Sequence, residues 1–375
     1  MIKRILLLQI FGLLLTVHKL GAQVQNTGMT DRPDSAEMGK LTISGYVDVY
    51  YGFDFNQPQS HERAYAVSSS RHNELNINLA FMDIRYQGDR VRGRFIPGIG
   101  TYINSNYANE QGTLKNLVEA YAGIKLTKNK NIWLDAGVLG SPFTYESAIS
   151  KDHLMYSRSL AAEYAPYYLN GLRLSVPINH KITAYIYVLN GWQQINDANN
   201  EPSLGTQVEY KINNNWLVNW NNYIGSERSV EQPLNRMRYF TDFYVIYSPA
   251  KKFGFTSGAY IGLQQRKNLN NNSQKNNVWG QANFTARYQL TKQTMLSARA
   301  EYMEDMNEVV FVPINTTNGF KTYGGSLCIT HKVSGHAMLR LEGRNFVSPK
   351  KVFVNSEQQP TRRSEMVVAN MTVWF

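Results

Sequence analysis

The chain has 375 residues, with 39 basic against 28 acidic, one cysteine, and aromatics at 12% that include 24 tyrosines. A lone cysteine excludes an internal disulfide framework, and basic residues scattered along the chain rather than gathered in a tract exclude a nucleic-acid arm. So many tyrosines on an otherwise polar chain suit interfacial girdles around a thin apolar band better than the core of a soluble enzyme.

Met1 to Ala22 opens with Lys3 and Arg4, runs through the apolar stretch Ile5 to Val17, and closes at Leu20-Gly21-Ala22. That is the layout of a cleaved secretory signal peptide. Its apolar run is too short to cross a bilayer as a helix, which takes about 20 residues. Without Lys3, Arg4 and Lys19 the balance becomes 36 basic against 28 acidic, a net of +8. Residues 23–40 are polar and aperiodic, and read as a flexible periplasmic lead-in. No later segment is apolar over a spanning length. A membrane location therefore requires a closed barrel, the one alternative to helices that satisfies every backbone group in lipid.

From Leu41 to Phe375 one pattern recurs: about ten residues of alternating polarity, then a connection. In the first segment Leu41, Ile43, Val47, Val49, Tyr51 and Phe53 oppose Thr42, Ser44, Asp48 and Asp54. In the fourth, Val118, Ala120, Ala122, Ile124 and Leu126 oppose Glu119, Tyr121 and Lys125. Leu296, Ala298, Ala300 and Tyr302 oppose Ser297, Arg299 and Glu301, and later Leu339 and Leu341 oppose Arg340, Glu342 and Arg344. A side-chain period of two places such sets on opposite faces of a strand. The rhythm predicts strands over 41–55, 73–86, 91–103, 115–126, 132–144, 168–177, 181–192, 203–211, 216–226, 237–248, 253–266, 277–289, 294–304, 320–332, 336–346 and 364–375. Short and long connections alternate between them, the pattern of periplasmic turns and extracellular loops. The fold class is all-β, a closed antiparallel transmembrane barrel of sixteen strands.

Aromatics cluster beside the short turns (Tyr86, Trp133, Tyr210, Trp216, Tyr247, Phe253, Tyr288) and toward the long loops (Phe53, Phe55, Tyr102, Trp192, Tyr223, Tyr239, Phe346). They predict rings at both membrane interfaces. Cys328 falls inside a strand and reads as a small packing residue. The chain ends on an alternating strand, Val367, Ala369, Met371, Val373 and Phe375 on one face. The final Trp374-Phe375 resembles the signal read by the barrel assembly machinery.

Several segments together resemble the OmpL-like β-barrel porin family of Bacteroidetes outer membranes. They are Gly137 to Glu146 (GVLGSPFTYE), Tyr156 to Ser159 (YSRS), Asn170 to Leu174 (NGLRL), Val188 to Trp192 (VLNGW), Leu204-Gly205, and Tyr223 to Glu227 (YIGSE). The resemblance covers the chain from about Leu41 to Phe375; where the family pattern places Gly after the Pro-Phe pair, this chain has Thr144. It implies a pore in the cell outer membrane and names no solute.

A barrel of sixteen strands leaves an aqueous lumen. Opposite the apolar face, Arg92, Arg94, Glu119, Lys125, Asp135, Arg173, Glu209, Asp242, Arg287, Arg299, Glu301, Arg340, Glu342 and Arg344 are expected to line it. A lipid-facing Arg or Lys near the midplane would cost roughly 2–4 kcal/mol. Pairing across the wall is one role for these charges; an electrostatic filter with a mild preference for anions is the other. The longest connection, Tyr145 to Tyr167, carries Glu146, Lys151, Asp152, His153 and Arg158. It is the candidate constriction loop, with an external surface loop as the alternative.

No H-E-x-x-H, P-loop or nucleophile-elbow pattern occurs, and no cluster has transition-metal ligand spacing. Neither catalysis, a metal nor a cofactor is expected. The leading expectation is a porin passing small hydrophilic solutes and ions by passive diffusion. The alternative is a surface adhesin or structural barrel acting through loops such as Asn268 to Asn277. Outer-membrane lipid and the barrel assembly machinery are the expected partners. Association into a homotrimer is left open.

Overall fold

In the computed structural model, residues 39–249, 252–268, 273–312, 314 and 319–375 are described. The signal peptide and residues 23–38 of the lead-in lie outside the described residues. Sixteen long strands close into one antiparallel barrel, each paired with its chain neighbour, and the last pairs with the first. In chain order they are β1 (Lys40–Asp54), β2 (Leu75–Gln87), β3 (Val91–Ile99), β4 (Leu117–Lys125), β5 (Trp133–Gly140), β6 (Tyr168–Pro177), β7 (Ile182–Leu189) and β8 (Ser203–Asn213). There follow β9 (Trp216–Ser226), β10 (Asn235–Tyr247), β11 (Phe253–Lys267), β12 (Gln274–Gln289), β13 (Thr294–Asp305), β14 (Phe320–Ser334) and β15 (Ala337–Val347). A two-residue hairpin, β16 (Phe353–Val354) with β17 (Pro360–Thr361), precedes the closing strand β18 (Arg363–Trp374). The β1–β18 seam runs from Tyr46 opposite Trp374 to Asp54 opposite Met366. Two short helices, α1 (Thr101–Asn106) and α2 (Leu160–Glu163), lie in long loops.

The polarity is that of a membrane barrel, inverted relative to a soluble fold. Leu41, Ile43, Phe95, Ile186, Phe243, Phe284, Leu327 and Leu341 are exposed on the outer face. Asp48, Asp135, Asn219, Asp242, Arg299 and Glu342 are buried inside. The alternation read from sequence fixes this, since a one-residue slip would exchange the two faces.

The structure corrects several expectations. The third strand stops at Ile99 instead of continuing to residue 103, because Gly100 has φ +133 and a Cβ there would lie 2.3 Å from the Asn78 carbonyl oxygen. The chain turns at that point into α1. The fifth strand ends at Gly140, where the long loop departs. Val118, expected on the apolar face, sits opposite the irregularity between Ile96 and Pro97 and lines an inner cavity.

The girdles are thinner than expected. Tyr86, Tyr210, Phe253 and Tyr288 do face outward near the short turns, and Phe55 and Tyr239 near the long loops. Trp133, however, is buried beneath the Arg92 guanidinium, 4.4 Å from its ring. Tyr102, Tyr223 and Phe346 are buried as well, and Trp192 packs on the same inner cluster. Strand parity is the reason for Tyr223 and Phe346: they share it with buried Asn221 and Arg344 rather than with the outer residues.

Those inward rings build a core inside the long-loop end of the barrel. Tyr187 on β7 and Tyr223, Phe240, Tyr260, Trp279, Met303, Phe320 and Phe346 on successive strands from β9 to β15 form one cluster with Phe143, Leu160 and Phe311 of the loops and Phe353 of β16. Phe311 stacks on Phe320 at 3.8 Å between centroids, and Tyr65 from the first loop meets Phe320 at 4.8 Å. Packing of this kind adds about 0.5–1.5 kcal/mol per aromatic pair beyond area burial. It ties the loops over β7–β15 to the wall.

Candidate functional site

The loop between β5 and β6, residues 141–167, folds into the barrel and bonds to the opposite wall. Near its start, Asn221 of β9 donates to the Pro142 carbonyl at 2.9 Å, and Thr144 N–H donates to Asp242 of β10 at 2.9 Å. Tyr145 O–H donates to Asn283 of β12. At Ser150 the loop reaches β1, its N–H donating to Tyr46 Oη at 3.1 Å and its hydroxyl to Asp48 at 3.2 Å. Arg340 of β15 donates to the Ser150 carbonyl at 2.7 Å. The Tyr156 and Ser157 N–H groups donate to Glu342 at 2.8 and 2.7 Å, and Leu160 N–H donates to Glu301 at 2.7 Å. Ser159 caps α2 by accepting from Ala162 N–H.

Most of the charges expected on β13 and β15 serve this attachment. Arg299 lies 3.5 Å from Glu146 of the loop, 3.2 Å from Glu301 and 3.4 Å from Glu342. Arg344 pairs with Glu301 at 2.7 Å. All four wall residues, and Arg340 with them, point inward and are buried beneath the loop rather than facing open water. Buried pairs of this kind hold geometry more than they add stability, and removing one partner strands the other.

The second group sits on the wall the loop leaves uncovered. In register across three adjacent strands lie Arg92, Gly123, Asp135 and, one strand further, Arg173. Arg92 reaches over Gly123 to Asp135 with two bonds of 2.7 Å, while Arg173 meets the same carboxylate at 2.8 Å. A Cβ on Gly123 would lie 2.2 Å from Asp135 Oδ1, so only glycine lets the pair close. Arg94 bridges Asp83 at 2.8 Å and Glu119 at 2.7 Å. Lys125 approaches Asp89 at 3.8 Å, Glu209 pairs with Lys211 at 3.1 Å, and Arg287 donates to the Pro249 carbonyl at 2.8 Å.

Between this wall and the loop lies a cavity of about 290 Å³, with Arg94, Glu119 and Arg173 on one side and Glu146, Ile149, Arg158 and Tyr167 on the other. Of the loop residues singled out in the sequence, Glu146, His153 and Arg158 are buried; Lys151 and Asp152 pair with each other at 2.7 Å and stay partly exposed. Burial, then the nearby guanidinium groups of Arg158, Arg340 and Arg299, push His153 well below the ordinary imidazole range. Asp83, Ser157, Tyr102 and Tyr167 complete the site, and sequence reasoning had not named them as site residues. Asp83 alone carried a usable signal, its parity with Arg85 on the polar face. Among the described residues no group of histidine, cysteine and carboxylates is arranged to hold a metal ion.

The sequence matches the family described as "Putative beta-barrel porin-2, OmpL-like" over residues 40–375. The chain belongs to that family. It is an outer-membrane porin by family, and its strands cross the lipid. No curated protein is matched by the sequence. Among solved structures, the porin resembles the outer membrane channel DcaP of Acinetobacter baumannii at 11% identity and a TM-score of 0.60, covering 91% of this chain and 99% of that one. It resembles Salmonella typhi OmpF, solved with daunomycin, at 13% identity and a TM-score of 0.60, covering 90% and 98%. The anion-selective porin from Comamonas acidovorans aligns at 10% identity and a TM-score of 0.59, covering 90% and 100%. At these identities the likeness is one of fold.

Proposed function

We propose that this porin passes small hydrophilic solutes and ions by passive diffusion along the β2–β6 side of its lumen, with residues 141–167 as the constriction. The observation that carries this reading is the attachment of that loop to Asp242, Glu301, Arg340 and Glu342 on the far wall. A loop held there narrows the barrel from within, and the cavity beside it lies between the loop and the β2–β6 wall. The inward charges on that side are Arg92, Arg94, Lys125 and Arg173, against Glu119 and Asp135. Arg85 and Asp83 add one of each, 2.5 Å apart. A surplus of cations at a narrow passage favours anions. Trp374-Phe375, at the end of the closing strand, is the segment we assign as the assembly signal.

Purified porin in planar bilayers tests this directly. Stable open steps are expected, with a reversal potential shifted toward chloride in asymmetric KCl; cation selectivity would overturn the filter, and no open steps the pore. The aromatic cluster packed under the loops over β7–β15 favours the second reading, a structural or adhesive barrel, and the same recording separates the two.

A further inference from the structure

Every carboxylate on the cavity between the loop and the β2–β6 wall already has its cation. Glu119 accepts from Arg94, and Glu146 accepts from Ser159 and lies beside Arg299. Arg94 and Arg173 are matched in turn by Asp83 and Asp135. Arg158 is the exception. It is 3% exposed, and among the described residues no carboxylate oxygen lies within 4.0 Å of it. One nitrogen, Nη2, donates to the Glu146 and Ala162 carbonyls at 2.7 and 3.3 Å, while Nε and Nη1 have no hydrogen-bond partner. Glu163, on the same loop, is engaged by the Val67 and Ser68 N–H groups. The guanidinium carbon sits over Tyr167, 3.5 Å from its ring centroid.

A buried cation without an anion is costly, and a guanidinium with open N–H donors is shaped to take one. The cavity Arg158 borders is also walled by the apolar Ile96 and Val118 and by the Tyr167 ring. Its volume of about 290 Å³ sits at the lower edge of ligand pockets.

We propose that this cavity is a binding site for small carboxylates with a short apolar or aromatic body, Arg158 taking the carboxylate and the Ile96, Val118 and Tyr167 side chains the body. This rests on the pore reading and names the solute class that the constriction selects. Nε and Nη1 are buried, so occupancy requires that the Arg158 side chain turn them into the cavity, exchanging its carbonyl contacts for the carboxylate.

The test uses the full-length porin in planar bilayers with benzoate, acetate and benzamide as probes. Benzoate is expected to reduce the chloride current saturably, acetate to do so more weakly, and benzamide, uncharged and of the same shape, to leave it unchanged. Arg158→Gln should raise the half-blocking concentration at least about tenfold, and Arg158→Lys should restore part of the loss. Equal block by benzamide overturns the proposal, and so does an Arg158→Gln channel blocked as before. The wild-type comparison decides even if the variant does not fold. A barrel that never conducts sinks the pore reading instead; calorimetry with the same probes on detergent-solubilised protein then decides the site, by benzoate heat without benzamide heat.

Discussion

Ser157 gives the Glu342 carboxylate both its backbone N–H, at 2.7 Å, and its hydroxyl. Loop and wall are joined there through one side chain, which also takes the Tyr156 N–H. Hydrogen bonds to a charged acceptor contribute about 1.5–3 kcal/mol each, more than neutral ones. Glu342→Gln keeps the shape but removes the charge and turns an amide N–H toward these donors. The loop should detach intermittently, giving larger and noisier single-channel currents. Currents indistinguishable from wild type would mean that Glu342 does not hold the loop.

Removing the attached segment altogether is the coarser version of that experiment. Deleting residues 149–162 takes away Ser150, Tyr156, Ser157 and Leu160, four of the loop's contacts with the wall. Single-channel conductance should rise, since the wall behind the loop becomes lumen. An unchanged conductance refutes the constriction.

How far the fold could be read from the chain depended on how many residues spoke together. The strands over 168–177 and 216–226 match the structure at both ends because alternation and short turns agree there. The third strand was overrun by four residues because a glycine forced to φ +133 looks like any other in sequence. The inner polar face was legible, residue by residue, as far as direction goes. What covers it was not: nothing in Arg299, Glu301 and Glu342 distinguishes a charge facing water from one beneath a loop, because their contacts with the loop are with residues more than 100 positions away. Rings at 223 and 346 misled for a different reason, the parity they share with the inward residues of their strands. An aromatic near a loop looks interfacial until parity is counted.

His153 makes the loop's attachment sensitive to pH. Both its ring nitrogens are buried without a partner, and burial, then Arg158, Arg340, Arg299 and Lys151, hold it neutral. In a released loop it would titrate near its ordinary value of 6.5. The released state therefore binds the proton more readily than the attached one. The attachment is at full strength above that value and weakens as pH falls below it, by up to about 1.4 kcal/mol per pH unit. Channel noise should grow between about pH 7 and about pH 5 in the wild type and stay flat in His153→Gln. Matching behaviour of the two proteins would remove His153 from the account.

Gly171 tests the wall itself. It pairs with Gly137 across β5 and β6, with φ +149 opposite φ +131, and a Cβ at 171 would lie 2.1 Å from the Val188 carbonyl oxygen. Alanine there meets backbone on one side and an unfavourable φ on the other, a cost of about 1–3 kcal/mol. Gly171→Ala should unfold at lower temperature in the heat-modifiability assay, with the unpaired Gly335 as a control, since a Cβ there meets nothing within 4 Å. Equal midpoints for the two variants would show that the wall tolerates the change.

The outermost claim is that the barrel's exterior meets hydrocarbon, and depth makes it testable on a single strand. Leu327 and Val333 are both exposed on β14, at 62% and 58%, but Leu327 lies in the middle of Phe320–Ser334 and Val333 one residue from its turn. In water the two positions would be equivalent. In a bilayer an arginine at the midplane costs about 2–4 kcal/mol and one near the interface about 0–1 kcal/mol. Leu327→Arg should therefore destabilise the barrel folded into lipid vesicles far more than Val333→Arg does. Because side-chain length and charge are the same in both variants, a shared cost would leave lipid depth without a role, and the transmembrane assignment of this strand would fall.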